Sequence, residues 1–185
     1  MIGYKGDTIV YVLVKGDDEL EPVRWEQIEI KDVKEGDYIQ MYHLPSMSFC
    51  FYPAKVASGQ YNGMLSKTNA VITYCKDQKL FACKYLPGAK YPVINEKSID
   101  EFEDDEILTT IEGWSYELNQ DVIDGSIEDM AEYMSYREKS HYCYKKVEKL
   151  EIEEEMYEGK LYNIIAPVEY GLRIDEYGIG TIIHE

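Results

Sequence analysis

The chain has only three histidines in 185 residues, and its four cysteines, Cys50, Cys75, Cys83 and Cys143, nowhere stand in paired C-x-x-C spacing. Zinc sites draw several Cys or His ligands from close spacings, so no metal site is expected and the thiols read as reduced side chains in strand-like or Tyr-rich surroundings. No apolar run approaches the ~20 residues that span a bilayer, and MIGYKGDTIVYVLVKGDD lacks the basic, apolar and small-residue order of a secretory leader. The expected location is the cytoplasm, or a virion or similar particle assembled there, with neither secretion nor a membrane partner. The motifs G-x-x-x-x-G-K-[ST], G-x-G-x-x-G, H-E-x-x-H and G-x-S-x-G are absent, which removes the nucleotide, zinc-protease and serine-hydrolase signatures. No cofactor is implied. Basic residues are scarce: 19 Lys and Arg face 36 Asp and Glu, giving a net charge of -17 and a pI near 4.5. Such a chain repels nucleic-acid phosphates, so direct nucleic-acid binding is not expected. The same charge fits a solvated surface, a surface for a basic protein partner, or an acidic inhibitor of a nucleic-acid-binding enzyme, and composition does not choose among them.

What is present points to β-structure in one domain, 1–185. The length suits a single sizeable core. Tyr is abundant, with 18 against 4 Phe and 2 Trp, and Tyr favours half-buried strands whose rings pack while their hydroxyls stay wet. TIVYVLV (8–14), WEQIEI (25–30), DYIQMYH (37–43), SFCFYPAKV (48–56) and VITYC (71–75) are rich in β-branched and aromatic residues, and KLYNIIA, YGLRI and GTIIH supply closing strands. KGDD, KEGD, YNG and KDQ read as turns between them. NEKSIDEFEDDE (95–106) reads as a solvated acidic loop or the edge of an insertion spanning about 95–140. Its carboxylates lack the spacing of an EF-hand loop. Within that insertion GSIEDMAEYMSYREK predicts one short helix: Ser126 caps, Asp129 is its partner, and Ile127, Met130, Ala131 and Met134 recur at helical spacing. Glu151, Glu153 and Glu155 alternate on a predicted strand and so share one face.

Two stretches carry a family resemblance. GYKGDTIVYVLVKG followed by IEIKDVKEGDYI, and GKLYNIIAPVEYGLRIDEYGIGTIIHE near the other end, resemble the opening and closing blocks of the Hint domain, the fold of inteins and of hedgehog-type autoprocessing domains. The matching residues are Gly6-Asp7-Thr8 and Gly36-Asp37-Tyr38-Ile39 in the first block, and Leu161-Tyr162-Asn163-Ile164 with Ile182-Ile183-His184 in the second. Read from the residues alone, both Gly-Asp pairs suit tight turns, since Gly accepts positive φ and Asp bonds nearby amides. The resemblance implies a mainly β body of strongly curved antiparallel strands in a compact, horseshoe-like form.

It also implies where autoprocessing residues should stand, and four of those places hold the wrong chemistry. Counting back from Gly6-Asp7-Thr8, the nucleophile's place falls on Gly3, which has no side chain for an acyl shift. The T-x-x-H motif that polarises the scissile peptide maps to Thr68 through Val71, and Val71 moves no proton. Asn163 stands where many members carry Asp. Glu185 takes the place of the cyclising Asn and has no amide nitrogen, which leaves His184 as the one catalytic residue type retained. The resemblance therefore implies a catalytically inactive module kept for binding or assembling with a protein partner, in a phage or other mobile element, the setting where intein-like domains tend to occur. The alternative is residual self-cleavage with His184 assisting, through one of the four cysteines if the fold brings it to Gly3.

Overall fold

Several strands carry unbroken apolar runs rather than clean alternation, and this sets the architecture. In a computed structural model the described residues are 3–14, 24–45, 48–68, 73–75, 78–84, 86–88, 93–103, 106–110, 143–145, 152–176 and 178–185. In chain order they form β1 (Tyr4–Lys5), β2 (Ile9–Val14), β3 (Arg24–Glu29), β4 (Tyr38–His43), β5 (Ser48–Pro53), β6 (Val56–Thr68), β7 (Thr73–Cys75) and β8 (Leu80–Lys84). There follow β9 (Val93–Lys97), β10 (Ile107–Thr110), β11 (Cys143–Lys145), β12 (Ile152–Ala166), β13 (Tyr170–Ile174), β14 (Gly178–Gly180) and β15 (Ile183–His184). β2, β4, β8 and β13 each bury four consecutive residues. A strand buried on both faces must lie between layers, which is why these segments read as apolar runs.

One sheet runs β3-β2-β4-β13-β14-β10-β8-β9, with β5 on β4 and β11 on β10; the other runs β1-β12-β6-β7, with β15 on β12. Among the described residues, every pairing apart from the parallel β12–β15 pair is antiparallel. The main core lies between the sheets. Tyr4, Ile164 and Ala166 come from the smaller one, and Val10, Val12, Ile39, Met41, Leu80, Leu108, Leu172 and Ile174 from the larger.

Both Gly-Asp pairs form turns, for different reasons. Gly36 has φ +88°, Asp37 N–H donates to Lys34 O at 3.0 Å, and the Asp37 carboxylate accepts from Lys34 N–H at 2.9 Å. Gly6 needs no positive φ. A Cβ there would lie 3.1 Å from the Tyr162 ring and 3.2 Å from Lys31 Cβ, so close approach explains the glycine.

The sequence reading of YNG as a turn is corrected. Tyr61, Asn62 and Gly63 lie in the middle of β6, which pairs with β12 without interruption from Val56↔Ile164 to Thr68↔Ile152. Tyr61 faces Gly159 and Tyr157 faces Gly63. Each tyrosine lies over the glycine two residues ahead on its own strand and donates its hydroxyl to the carbonyl three ahead, Met64 O at 2.7 Å and Lys160 O at 2.9 Å. The ring supplies the packing that Gly lacks, so Tyr-x-Gly reads through as strand.

The acidic run is also only partly a solvated loop. It begins in β9, which pairs with β8, and Ile99 and Phe102 pack on the main core. Residues 107–110 form β10 of the larger sheet, and the predicted helix around residues 126–138 lies outside the described residues. Glu106 is buried and accepts from Lys97 Nζ at 2.6 Å and Glu103 N–H at 2.9 Å. Burial opposes its charge, but these two donors outweigh burial and hold the carboxyl below the usual Glu range. A depressed carboxyl stabilises the fold above its unfolded value of about 4.3, and that contribution is lost as pH falls through the folded value. Wild type should therefore lose more melting temperature than Glu106→Gln between about pH 6 and about pH 3. Thermal melts at both pH values check this, and parallel losses would remove Glu106 from the account.

Candidate functional site where the first and last strands meet

β12 brings the first and last described strands onto one edge. Ile165 N–H donates to Lys55 O at 2.8 Å, towards β6. Successive residues of a strand point their backbone groups to opposite edges, so Tyr162, Ile164 and Ala166 face away from β6. That outer edge takes β1 through Tyr4↔Tyr162 and β15 through Ile165↔Ile183, with Glu185 N–H donating to Ala166 O at 3.0 Å. The two attachment points are three residues apart, roughly 10 Å along the strand.

Between them lies a buried polar network. Gly3 is buried, and a Cβ built on it would lie 2.7 Å from the backbone oxygen of Tyr162. The Cys75 thiol donates to Gly3 O at 3.6 Å. Gln78 braces Cys75, donating its N–H to Cys75 O at 3.0 Å and accepting from Cys75 N–H on Oε1 at 3.3 Å. Its Nε2 donates to Tyr4 Oη at 2.9 Å and to Thr181 Oγ1 at 3.1 Å. Tyr4 Oη donates in turn to Thr181 O at 2.6 Å, and Thr181 Oγ1 to Lys79 O at 2.8 Å. Burial drives the Tyr4 hydroxyl well above its ordinary pKa, so it stays a neutral donor. The side-chain protons of Gln78, Tyr4 and Thr181 are thus each given to a named acceptor within the network.

Of the predicted residues, Gly3 and Asn163 lie at this network, and His184 and Glu185 lie on the surface. Asn163 is fully buried, accepts from Ile164 N–H at 2.8 Å and extends Nδ2 towards Thr181 O at 3.5 Å. His184 is exposed, with Nε2 3.0 Å from a Glu96 carboxylate oxygen on β9, and Glu185 is exposed and bonded to Lys55 Nζ at 3.1 Å. Thr68 closes β6 through its backbone; its side chain, Val71 and the Cys143 side chain lie outside the described residues. Cys83 is buried in β8, and burial pushes the Cys50 thiol up to about 12, so little of it is thiolate at neutral pH.

Of the four cysteines that the sequence offers as alternatives at Gly3, the fold brings Cys75 there. Gln78 and Thr181 carry no splicing motif, so nothing in the sequence signals their place in the network.

No protein-family model matches the sequence, and no curated protein sequence does either. Among the solved structures that match the backbone are two inteins. The KlbA intein precursor from Methanococcus jannaschii is 13% identical with a TM-score of 0.56, over 100% of this chain and 92% of that one. A GSH-linked, splice-inactive variant of the AceL NrdHF class 3 split intein is 10% identical with a TM-score of 0.55, over 96% of this chain and 99% of that one. The fold is intein-like. At these identities the likeness is one of backbone, and it agrees with the mainly β, Hint-like form that the two end blocks imply. In this intein-like fold the first strand, the last strand and the β7 residue Cys75 converge on Gly3.

Proposed function

We propose that this chain is an intein-like module that does not perform the terminal acyl shift and serves as a folded β component that binds or assembles with a protein partner. The observation that carries the reading is the packing at Gly3. The obstructing atom is a strand backbone oxygen, so a nucleophilic side chain has no room unless β12 itself shifts. Asn163 adds no ionisable group, and Glu185 holds Lys55 with a carboxylate that cannot cyclise. The net charge of -17 favours a basic protein partner over nucleic acid. By fold-level analogy the setting is a phage or other mobile element, with the protein in the cytoplasm or an assembled particle.

A second reading rests on one distance, the 3.6 Å between Cys75 Sγ and Gly3 O. Attack by that sulfur on the Gly3 carbonyl carbon would form a C–S bond and break the Gly3–Tyr4 C–N bond, with the thiol proton passing to the Tyr4 nitrogen. Water would then hydrolyse the thioester, leaving a Gly3 carboxylate and the Cys75 thiol. Intact-mass analysis of a fusion with native flanking sequence separates the readings. The first expects one unchanged mass. A fragment beginning at Tyr4 that disappears in Cys75→Ala would overturn it and establish the second.

A further inference from the structure

We infer that the outer edge of β12 between residues 153 and 158 docks an extended, basic segment of a partner protein by adding it as a strand. The inference rests on the reading of the chain as a binding module and names the surface and the chemistry of the occupant.

Three features place it there. β1 leaves β12 after only two pairs, at Leu161 and Tyr162, because the Gly6-Asp7 turn carries the chain away with Thr8 N–H bonded back to Lys5 O at 3.0 Å. Beyond that point, among the described residues, no strand pairs with the outer edge of β12. By the alternation that directs Ile165 towards β6, the backbone groups of Glu154, Met156 and Glu158 face outward. Those of Lys160 do too, consistent with Lys160 O accepting the Tyr157 hydroxyl rather than a ladder bond.

Side chains here are solvated on both faces of the strand. Glu153, Glu154, Glu155, Met156 and Glu158 are all exposed, Met156 at 69%. An open edge is a pairing template. Four carboxylates in six residues decide what can use it. A second copy would lay glutamates beside glutamates, which is repulsive, whereas a strand bearing Lys or Arg gains both main-chain bonds and opposite charge.

The edge also has an end stop. Past Glu158 it runs into a cleft of about 390 Å³ lined by Lys5, Lys31 and Lys160 with Asp7, Tyr157 and Tyr162. Lys160 carries a positive charge at this end, and Lys5 and Lys31 are paired with Glu155 at 3.4 Å and Glu29 at 2.9 Å, so the surplus of negative charge that attracts a basic strand ends at Glu158. The docked segment is therefore about six residues long, matching the acidic stretch.

The test uses the whole chain and an acetylated, amidated peptide of alternating lysine and valine, about eight residues long. A second peptide of equal charge carries N-methyl groups on alternate residues along its pairing edge. Fluorescence anisotropy should show the methylated peptide binding about tenfold or more weakly, because it loses main-chain bonds and keeps its charge. In Met156→Pro, the removed N–H points outward and takes no part in the β6 ladder. Binding of the unmethylated peptide should fall by a similar factor while the melting curve stays cooperative. Glu154→Lys combined with Glu158→Lys should weaken it as well. Equal binding of the two peptides, or none, would overturn the inference, since undirected attraction to an acidic chain does not distinguish them. Should Met156→Pro fail to fold, the peptide pair still decides. None of these outcomes bears on Gly3, so a failed docking edge and a failed account of the acyl shift are told apart.

Discussion

Gly3→Cys is expected to destabilise the fold without installing an acyl shift. The substitution supplies a nucleophile at the place that the end-block resemblance implies for one, yet its Cβ arrives 2.7 Å from Tyr162 O, with Tyr162 C at 3.1 Å and Tyr162 N at 3.2 Å. All three atoms belong to β12, which is held by β6 on one side and β1 on the other, so no flexible side-chain end can yield. Overpacking of this kind costs about 1–3 kcal/mol, and more where backbone must move. For a chain of this length that is a fall in melting temperature of about 2–12 °C. Gly3→Ala should fall by a similar amount, because the Cβ and not the sulfur does the damage. Thermal melts of both variants, with intact mass for Gly3→Cys in its flanked fusion, check the result. A Gly3→Cys protein as stable as wild type would show that the site has room for a side chain, and one cleaved at the bond before residue 3 would show that a thiol is all that the site lacks.

Gln78→Leu should be the most damaging single change in the network. The side chain is 1% exposed and joins three elements, bonding Cys75 N–H, Tyr4 Oη and Thr181 Oγ1. Leucine fills a similar volume but leaves the Cys75 N–H without this acceptor and the two hydroxyl oxygens without this donor. Each buried polar group stripped of a partner costs about 1–3 kcal/mol, and partial relaxation brings the total to roughly 3–4 kcal/mol. Equilibrium urea unfolding reads this as a lower midpoint at an unchanged slope. Gln78→Glu gives the contrast: it restores an acceptor but takes charge into the interior, so its deficit should shrink as pH is lowered and the carboxyl gains a proton. A Gln78→Leu midpoint equal to wild type would mean that the network packs by shape alone.

The strands that sequence made legible are those whose local pattern agrees with their tertiary use. IVYVLV, YIQMYH and YGLRI lie between the layers, and their apolar runs report that directly. Tyr61-Asn62-Gly63 was misread because its turn chemistry is genuine and is overridden only by the facing Tyr157-Glu158-Gly159, nearly a hundred residues away. Glu106 was misread for a related reason. A carboxylate in an acidic run looks solvated until Lys97 and the Glu103 amide come within reach.

The candidate site divides along the same line. Sequence by itself determined which chemistries are missing, because residue identity alone decides that Gly3 has no nucleophile, Val71 no proton to move and Glu185 no amide nitrogen. It also determined the β character, through side-chain shape and patterning. Only the tertiary structure decided which residues meet. Cys75, Gln78 and Thr181 carry no motif, and they form one network with Gly3 and Tyr4 because β12 gathers distant strands while β7 folds back onto β6. Hydrogen bonds such as that from Tyr4 to Thr181 span nearly the whole chain. Local propensity does not encode contacts of that separation; the summed burial and pairing of the two sheets does.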